Sequence, residues 1–174
     1  VYIGTAKKGV TNEPILIHSY NDFVTAFDYS DTDWDKYTLY EAAYAHFKNS
    51  VHTSAPIVCI SLGTDIDAVT EEAFTAALNA IDLTPIKCGV IPNIIVAPAL
   101  SSTYADEMIA KCTSRIGGKW GCVAYIDIPT DSVTKVAEAK TYKTTNSITS
   151  KFARLHYPKA KHSGKVFHLS VLDA

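Results

Sequence analysis

Apolar residues along this chain follow two rhythms. Short apolar-rich runs recur at Val1–Ala6, Ile15–His18, Pro56–Ile60, Asn93–Ala97, Cys122–Ile128, Ala153–Tyr157 and Val166–Val171. Runs of this length predict strands, and the continuous apolar run Pro56–Ile60 predicts a strand covered on both faces. "NIIVA" (Asn93–Ala97) and "CVAYI" (Cys122–Ile126) read as adjacent central strands. Between the runs the apolar spacing changes to three and four. Tyr40, Ala43, Tyr44, Phe47 and Val51 form one such stripe. Phe74, Ala77, Leu78 and Ile81 form a second, and Ala105, Met108, Ile109, Cys112 and Ile116 a third. Each predicts an amphipathic helix whose stripe faces a core.

Polar punctuation places the helix ends. Ser19 followed by Asp22 predicts a capped start for a short helix through Phe27. Thr38 followed by Glu41 has the full capping-box spacing, in which the threonine caps and the glutamate reaches back. Thr70 caps the next helix, with Glu71 and Glu72 in its first turn. Pro98 ends its strand, and Ser101 or Ser102 is placed to cap the helix behind it, which Gly117-Gly118 terminates. Pro129-Thr130-Asp131 leads into a helix reaching about Asn146, with Lys135, Lys140 and Lys143 on a solvated face. Asp28 to Asp35 reads as an acidic loop containing Trp34.

From Pro56 onward strand and helix alternate. That order predicts an α/β fold: a single, largely parallel β-sheet covered by helices, with right-handed crossovers. Residues 1–174 read as one α/β domain, long enough to bury a core without disulfides or metals.

Composition adds little beyond this. Hydrophobic residues make up 47% and charged residues 20%, ordinary values for a globular domain. The net charge is −2 and acids and bases read as mixed along the chain, which predicts neither nucleic-acid binding nor membrane insertion. Cys59, Cys88, Cys112 and Cys122 are widely spaced and lack a C-x-x-C pair; three of them sit in apolar or helical-face contexts and read as small hydrophobes in a chain folded under reducing conditions. The chain opens at Val1, inside an expected strand, and reads as a piece of a longer protein.

Three constellations carry possible chemistry. Gly4 to Thr11 comes within one residue of a phosphate-binding loop. Val10 stands where the phosphate-contacting lysine belongs, and Ile15-Leu16-Ile17 predicts a strand where a helix should open. Strand, exposed lysine-bearing loop, strand is the expected structure. Ser101, Asp127 and His156 fall near strand ends and could be assembled into a hydrolytic triad. No G-x-S-x-G elbow exposes the serine, however, and Ser101 and Thr130 lie where helix caps belong. Asp65 and Asp67 lack the rest of a calcium loop, and the six histidines show no helical ligand spacing. The residues therefore predict no catalytic, cofactor-binding or metal-ligating set, and no enzyme. A ligand-binding module or enzyme on a doubly wound sheet is the competing expectation.

Several stretches, in order, resemble the contractile tail sheath proteins of bacteriophages and related contractile injection particles. "VYIGTAKKGVTNEPILIHSYNDFVTAFD" resembles that family's first strand, its glycine-bounded loop, its second strand and its first helix. "YTLYEAAYAHFKNS", "NIIVAPALSS", "CVAYIDIP" and "ARLHYPKAK" resemble successive family elements. The resemblance implies a structural subunit without cofactors that stacks with other sheath subunits in hexameric rings around an inner tail tube protein. Contraction of that array drives the tube through a cell envelope. It also implies a place in the virion tail, after assembly in the bacterial host cytoplasm. Family members carry strand-exchanging arms and often an outer domain where this chain has only the short link Ser61–Asp67. The chain is thus expected to be a core fragment, monomeric or weakly associating alone.

Overall fold

The computed structural model describes residues 1–48, 55–114 and 122–174. Two strands, β1 (Tyr2–Gly4) and β2 (Pro14–Ile17), come first, then helices α1 (Tyr20–Phe27) and α2 (Thr38–Lys48). Alternation follows: β3 (Ile57–Ser61), α3 (Glu71–Ala80), the short α4 (Thr84–Lys87), β4 (Ile94–Val96), α5 (Ala105–Thr113), β5 (Val123–Asp127), α6 (Val136–Thr145) and β6 (Ala153–His156). A hairpin of β7 (Ala160–His162) and β8 (Lys165–Phe167) and a last helix, α7 (Leu169–Asp173), complete the described chain.

The main sheet runs β2-β3-β1-β4-β5-β6. Only β2 is antiparallel to its neighbour, pairing Ile15 with Cys59 and Ile17 with Ile57. The five parallel strands have the doubly wound order 2-1-3-4-5 when numbered among themselves. The chain switches sides between β1 and β4, where Tyr2 pairs with Val96. The expected α/β architecture is therefore present, and β4 and β5 are neighbours in register from Ile94↔Val123 to Val96↔Tyr125.

The sheet divides two cores. On one face, α3 and α5 pack Phe74, Leu78, Ile81 and Met108 onto Ile3, Ile60, Ile95 and Ile126. On the other, α1, α2 and α7 pack Phe23, Phe27, Leu39, Tyr40 and Val171 onto Tyr2, Cys59, Val96 and Tyr125. Successive strand residues serve opposite cores, which is why "NIIVA" reads as unbroken hydrophobicity.

Four expectations need correcting. The last run, Val166–Val171, is not one strand. Ser163 and Gly164 both take positive φ (50° and 79°), the geometry of a tight hairpin turn that folds β8 back on β7. The residues after Phe167 turn into α7. Helix α2 is not buried along a single stripe, because Leu39, Glu41, Ala42 and Ala45 are buried as well as Tyr40 and Ala43. It lies between the sheet, α1 and α7, and Val51 falls outside the described residues. Helix α5 starts at Ala105, beyond both serines expected as its cap, with no side-chain cap; Ile116 and Gly117-Gly118 also lie outside the described residues. Helix α6 starts at Val136, its first amides held by the Glu138 carboxylate, which accepts from the Thr134 and Lys135 N–H groups.

Candidate functional site

Doubly wound sheets bind ligands beyond the carboxyl ends of their strands, at the switch point. Here that point lies past Gly4 of β1 and Val96 of β4, and helix α2 closes most of it. Thr5 and Thr38 bond reciprocally. The Thr5 N–H donates to Thr38 Oγ1 (2.9 Å), and the Thr38 N–H donates to Thr5 Oγ1 (3.1 Å). The Leu39 N–H donates to the Thr5 carbonyl and the Tyr40 N–H to that of Tyr37. Three of the four free amides at the start of this helix are thereby spent on protein oxygens, not left for an anion.

The loop that comes close to a phosphate-binding pattern has other duties. A Cβ on Gly4 would stand 2.2 Å from Thr38 Oγ1, so the glycine lets α2 approach the strand. Gly9 has φ +123° and its absent Cβ would meet the Phe27 ring at 2.9 Å. The Lys7 ammonium pairs with Asp28 at 2.9 Å, and its N–H donates to the Tyr40 hydroxyl at 3.1 Å. The hydrogen bond to Asp28 raises the Lys7 pKa and lowers that of Asp28. Thr11 bridges to Ser61 and β2 follows, as the sequence predicts.

Two buried carboxylates dominate the carboxyl end of the sheet. Glu41, expected to reach back to its own helix, instead crosses to the other end of the chain. It accepts the His168 N–H, and its Oε2 lies 2.9 Å from His168 Nδ1. Asp127, the last residue of β5, accepts the Ser170 N–H on Oδ1 (3.0 Å) and the Ser101 and Ser170 hydroxyls on Oδ2. Its own N–H donates to Ser101 Oγ at 3.0 Å. Together they hold the N-terminus of α7, where a carboxylate also suits the free amides. Arg154 Nη1 and His156 Nε2 hold its C-terminus through Asp173, at 3.1 and 3.0 Å.

The structure thus brings Ser101 and Asp127 together and leaves His156 out. His156 pairs in register with Asp127, but its ring lies against Tyr125 and bonds Asp173, while Nδ1 is buried without a partner. His168 lines a cavity of about 120 Å³ with Ser101 and Asp127, yet it is committed to Glu41. Ser101 is bonded to the Asp127 carboxylate and N–H with no imidazole against it, which is not the serine–histidine–aspartate arrangement. The cluster fastens a helix.

Next to it lies a groove of about 630 Å³, bordered by Trp34, Tyr37, Glu41, Ala99, Lys159 and His168. Ala99 takes φ +63° where the chain turns out of β4. Among the described residues no group of three metal-ligating side chains converges, and no helix is long and apolar enough to cross a membrane. Burial pushes the Cys59 thiol up to about 12. The hydrogen bond to Cys122, with burial, raises the Cys112 thiol as well. Neither is primed as a nucleophile.

Sequence reasoning missed the docking of α7. Its only local signs are the hairpin-forming Ser163-Gly164 and a histidine and serine flanking Leu169, none specific for a carboxylate partner. No protein-family profile matches the chain, and no curated protein matches it.

Proposed function

We propose that this protein is a structural subunit of a contractile tail sheath of the bacteriophage type, polymerising around an inner tube and contracting to drive it through a cell envelope. One observation carries the reading. The segments that resemble the sheath family at the start of the chain interlock as a unit, and their distinctive residues are consumed by packing. Gly4 admits Thr38, Gly9 rests on Phe27, Lys7 pairs with Asp28, and Tyr40 accepts from the loop and donates to the Phe27 carbonyl. A ligand site would need some of these groups free. The hydrogen bonds by which Glu41 and Asp127 dock α7 support the same reading.

Electron microscopy of the parent protein, expressed with its tube protein, tests this proposal. Hollow tubes or contracted sheaths are expected. A uniformly monomeric parent that turns over a small molecule would overturn it.

The groove of about 630 Å³ at the switch point favours a second reading, a small-ligand module, because Trp34, Tyr37 and Lys159 line it. A thermal-shift screen separates the two. A bound ligand at ~100-fold its dissociation constant would add about 2.7 kcal/mol. The sheath reading expects no shift, including with ATP and magnesium.

A further inference from the structure

Charge on this molecule is sorted, which corrects the expectation that acids and bases are mixed. Residues 139–172 hold seven lysines and arginines and no acid, whereas residues 49–86 hold five acids and no lysine or arginine. Their described parts serve helices on the same face of the sheet but opposite ends of its strands: the acidic stretch leaves the carboxyl end of β3, and the basic one enters the amino end of β6. The basic stretch supplies the outer half of α6, the turn before β6, and β6 itself, which is one edge of the sheet. Helix α6 has no fully buried residue, and Val136 on its first turn is 77% exposed. Lys140, Lys143 and Lys151 stand exposed there. The acidic stretch supplies the β3–α3 connection and the first turn of α3. There Asp65, Asp67, Glu71 and Glu72 are all exposed. Strands β1, β4 and β5 separate β3 from β6. Among the described residues, none of these seven side chains is in an ion pair.

The other acidic segment behaves differently. In the Asp28–Asp35 loop, Asp28 pairs with Lys7, Asp33 with Lys36, and Asp31 with the Tyr29 hydroxyl and Lys165. Three of its four carboxylates are thus engaged within the molecule. The Asp65–Glu72 shoulder keeps its charge, and so does the α6–β6 edge apart from Arg154, which pairs with Asp173.

We propose that the basic α6–β6 edge of one copy docks on the acidic Asp65–Glu72 shoulder of a second copy. The occupant is a second copy because the chain carries both complementary surfaces. A polyanion would be attracted to the edge but repelled by residues 1–138, whose nine basic and seventeen acidic side chains give a net −8. The two patches are different surfaces, one at the carboxyl end of β3 and the other at the amino end of the edge strand β6, so the contact is head-to-tail. Such a contact closes into a ring or continues as a helix, and does not stop at a two-fold dimer. Exposed charges of this kind set association rate and salt dependence more than tight affinity. The contact names a lateral seam for the assembly proposed above and rests on that reading only for its use in a sheath.

Sedimentation velocity of this 174-residue protein over a concentration series tests the seam directly. At ~10 mM salt, where charges act over about 30 Å, the sedimentation coefficient should rise with concentration; near 1 M salt, where they act over about 3 Å, it should not. Two charge-reversed triples, Lys140→Glu/Lys143→Glu/Lys151→Glu and Asp65→Lys/Asp67→Lys/Glu71→Lys, should each stay monomeric alone. Mixed, they should associate again, which a loss of fold cannot mimic. The altered side chains are exposed, so circular dichroism of both should match the parent chain. A wild-type chain that stays monomeric at low salt would overturn the proposal, as would reversed variants that associate like wild type. Association that appears only with an added oligonucleotide would reassign the edge to nucleic acid and overturn it too. Tubes from the parent protein in microscopy, without this association, would sink the seam and leave the sheath reading standing.

Discussion

The two faces of the sheet are built from different materials. The face under α3 and α5 is mainly aliphatic, with one aromatic stack, Phe74 on Tyr104 at 4.4 Å. The face under α1, α2 and α7 is aromatic. Phe23 and Phe27 lie 4.9 Å apart, Tyr29 and Tyr40 4.8 Å, and Trp34 and Phe167 5.2 Å. Aliphatic side chains ask only for volume. Buried tyrosines, and the helices that carry them, bring polar atoms inside that must each find a partner. The aromatic face accordingly holds the Thr5–Thr38 exchange, the Tyr40 hydroxyl bonds and the Glu41–His168 contact, each joining residues far apart in sequence. One face is specified by shape and the other by hydrogen bonding.

The largest effects should not distinguish the faces. Phe23→Ala on the aromatic side should cost about 3–5 kcal/mol and Ile95→Ala on the aliphatic side about 2–5 kcal/mol, since both side chains are fully buried. Urea denaturation measures both. A cost below ~1 kcal/mol for Ile95→Ala would mean that the aliphatic face is not closed.

The next tier sharpens the contrast. Glu41→Ala removes the acceptor of the His168 N–H and should cost about 1–3 kcal/mol. The loss should be concentrated in α7, read as faster amide exchange across Leu169–Asp173. If exchange in α3 accelerates equally, the carboxylate does not act as a local fastener.

Two neighbouring serines give a smaller and cleaner test. Ser101→Ala withdraws the acceptor of the buried Asp127 N–H and should cost about 1 kcal/mol or more, whereas Ser102→Ala should stay within about 0.5 kcal/mol. Equal costs in thermal melts would mean that the Ser101 hydroxyl does not hold the Asp127 amide.

Alkaline titration should reach the aromatic face through Cys59. Burial raises Cys59 to about 12 from an ordinary value of 9.0, and raises Tyr2 and Tyr40 as well. A group held protonated in the folded state contributes stability that is complete below its unfolded pKa. For Cys59 that contribution is lost progressively between about pH 9 and pH 12 as the unfolded chain sheds the proton first. The loss at pH 10 should be on the order of 1 kcal/mol and should shrink in Cys59→Val. An unchanged pH profile in that variant would assign the alkaline loss to the other raised groups, Cys112 and the tyrosines.

Much of the aliphatic face was legible in advance. Phe74, Ala77, Leu78 and Ile81 are all buried, as their spacing predicts, and Thr70 accepts the Ala73 N–H three residues on. Ser19 accepts the Asp22 N–H in the same way. The aromatic face and the candidate site were less legible. The spacing of Thr38 and Glu41 is that of a capping box, yet both side chains point elsewhere, to Thr5 and His168. Ser101 sits where a cap belongs and serves Asp127 instead.

What the sequence determined by itself is whatever can be settled within a turn or a strand: the alternation of strands and helices along the chain, the α3 stripe, the caps at Ser19 and Thr70, and the strand that follows the Gly4–Thr11 loop. Such features depend on neighbours a few residues away, whose distances the backbone geometry already sets. The tertiary structure alone decided where the long-range polar groups go. Glu41 and His168 are 127 residues apart, and Asp127 and Ser170 are 43 apart. A carboxylate at a helix start can bond its own amides or another element's at similar local cost. Burial breaks the tie, because an enclosed amide without an acceptor loses its water and gains nothing in return.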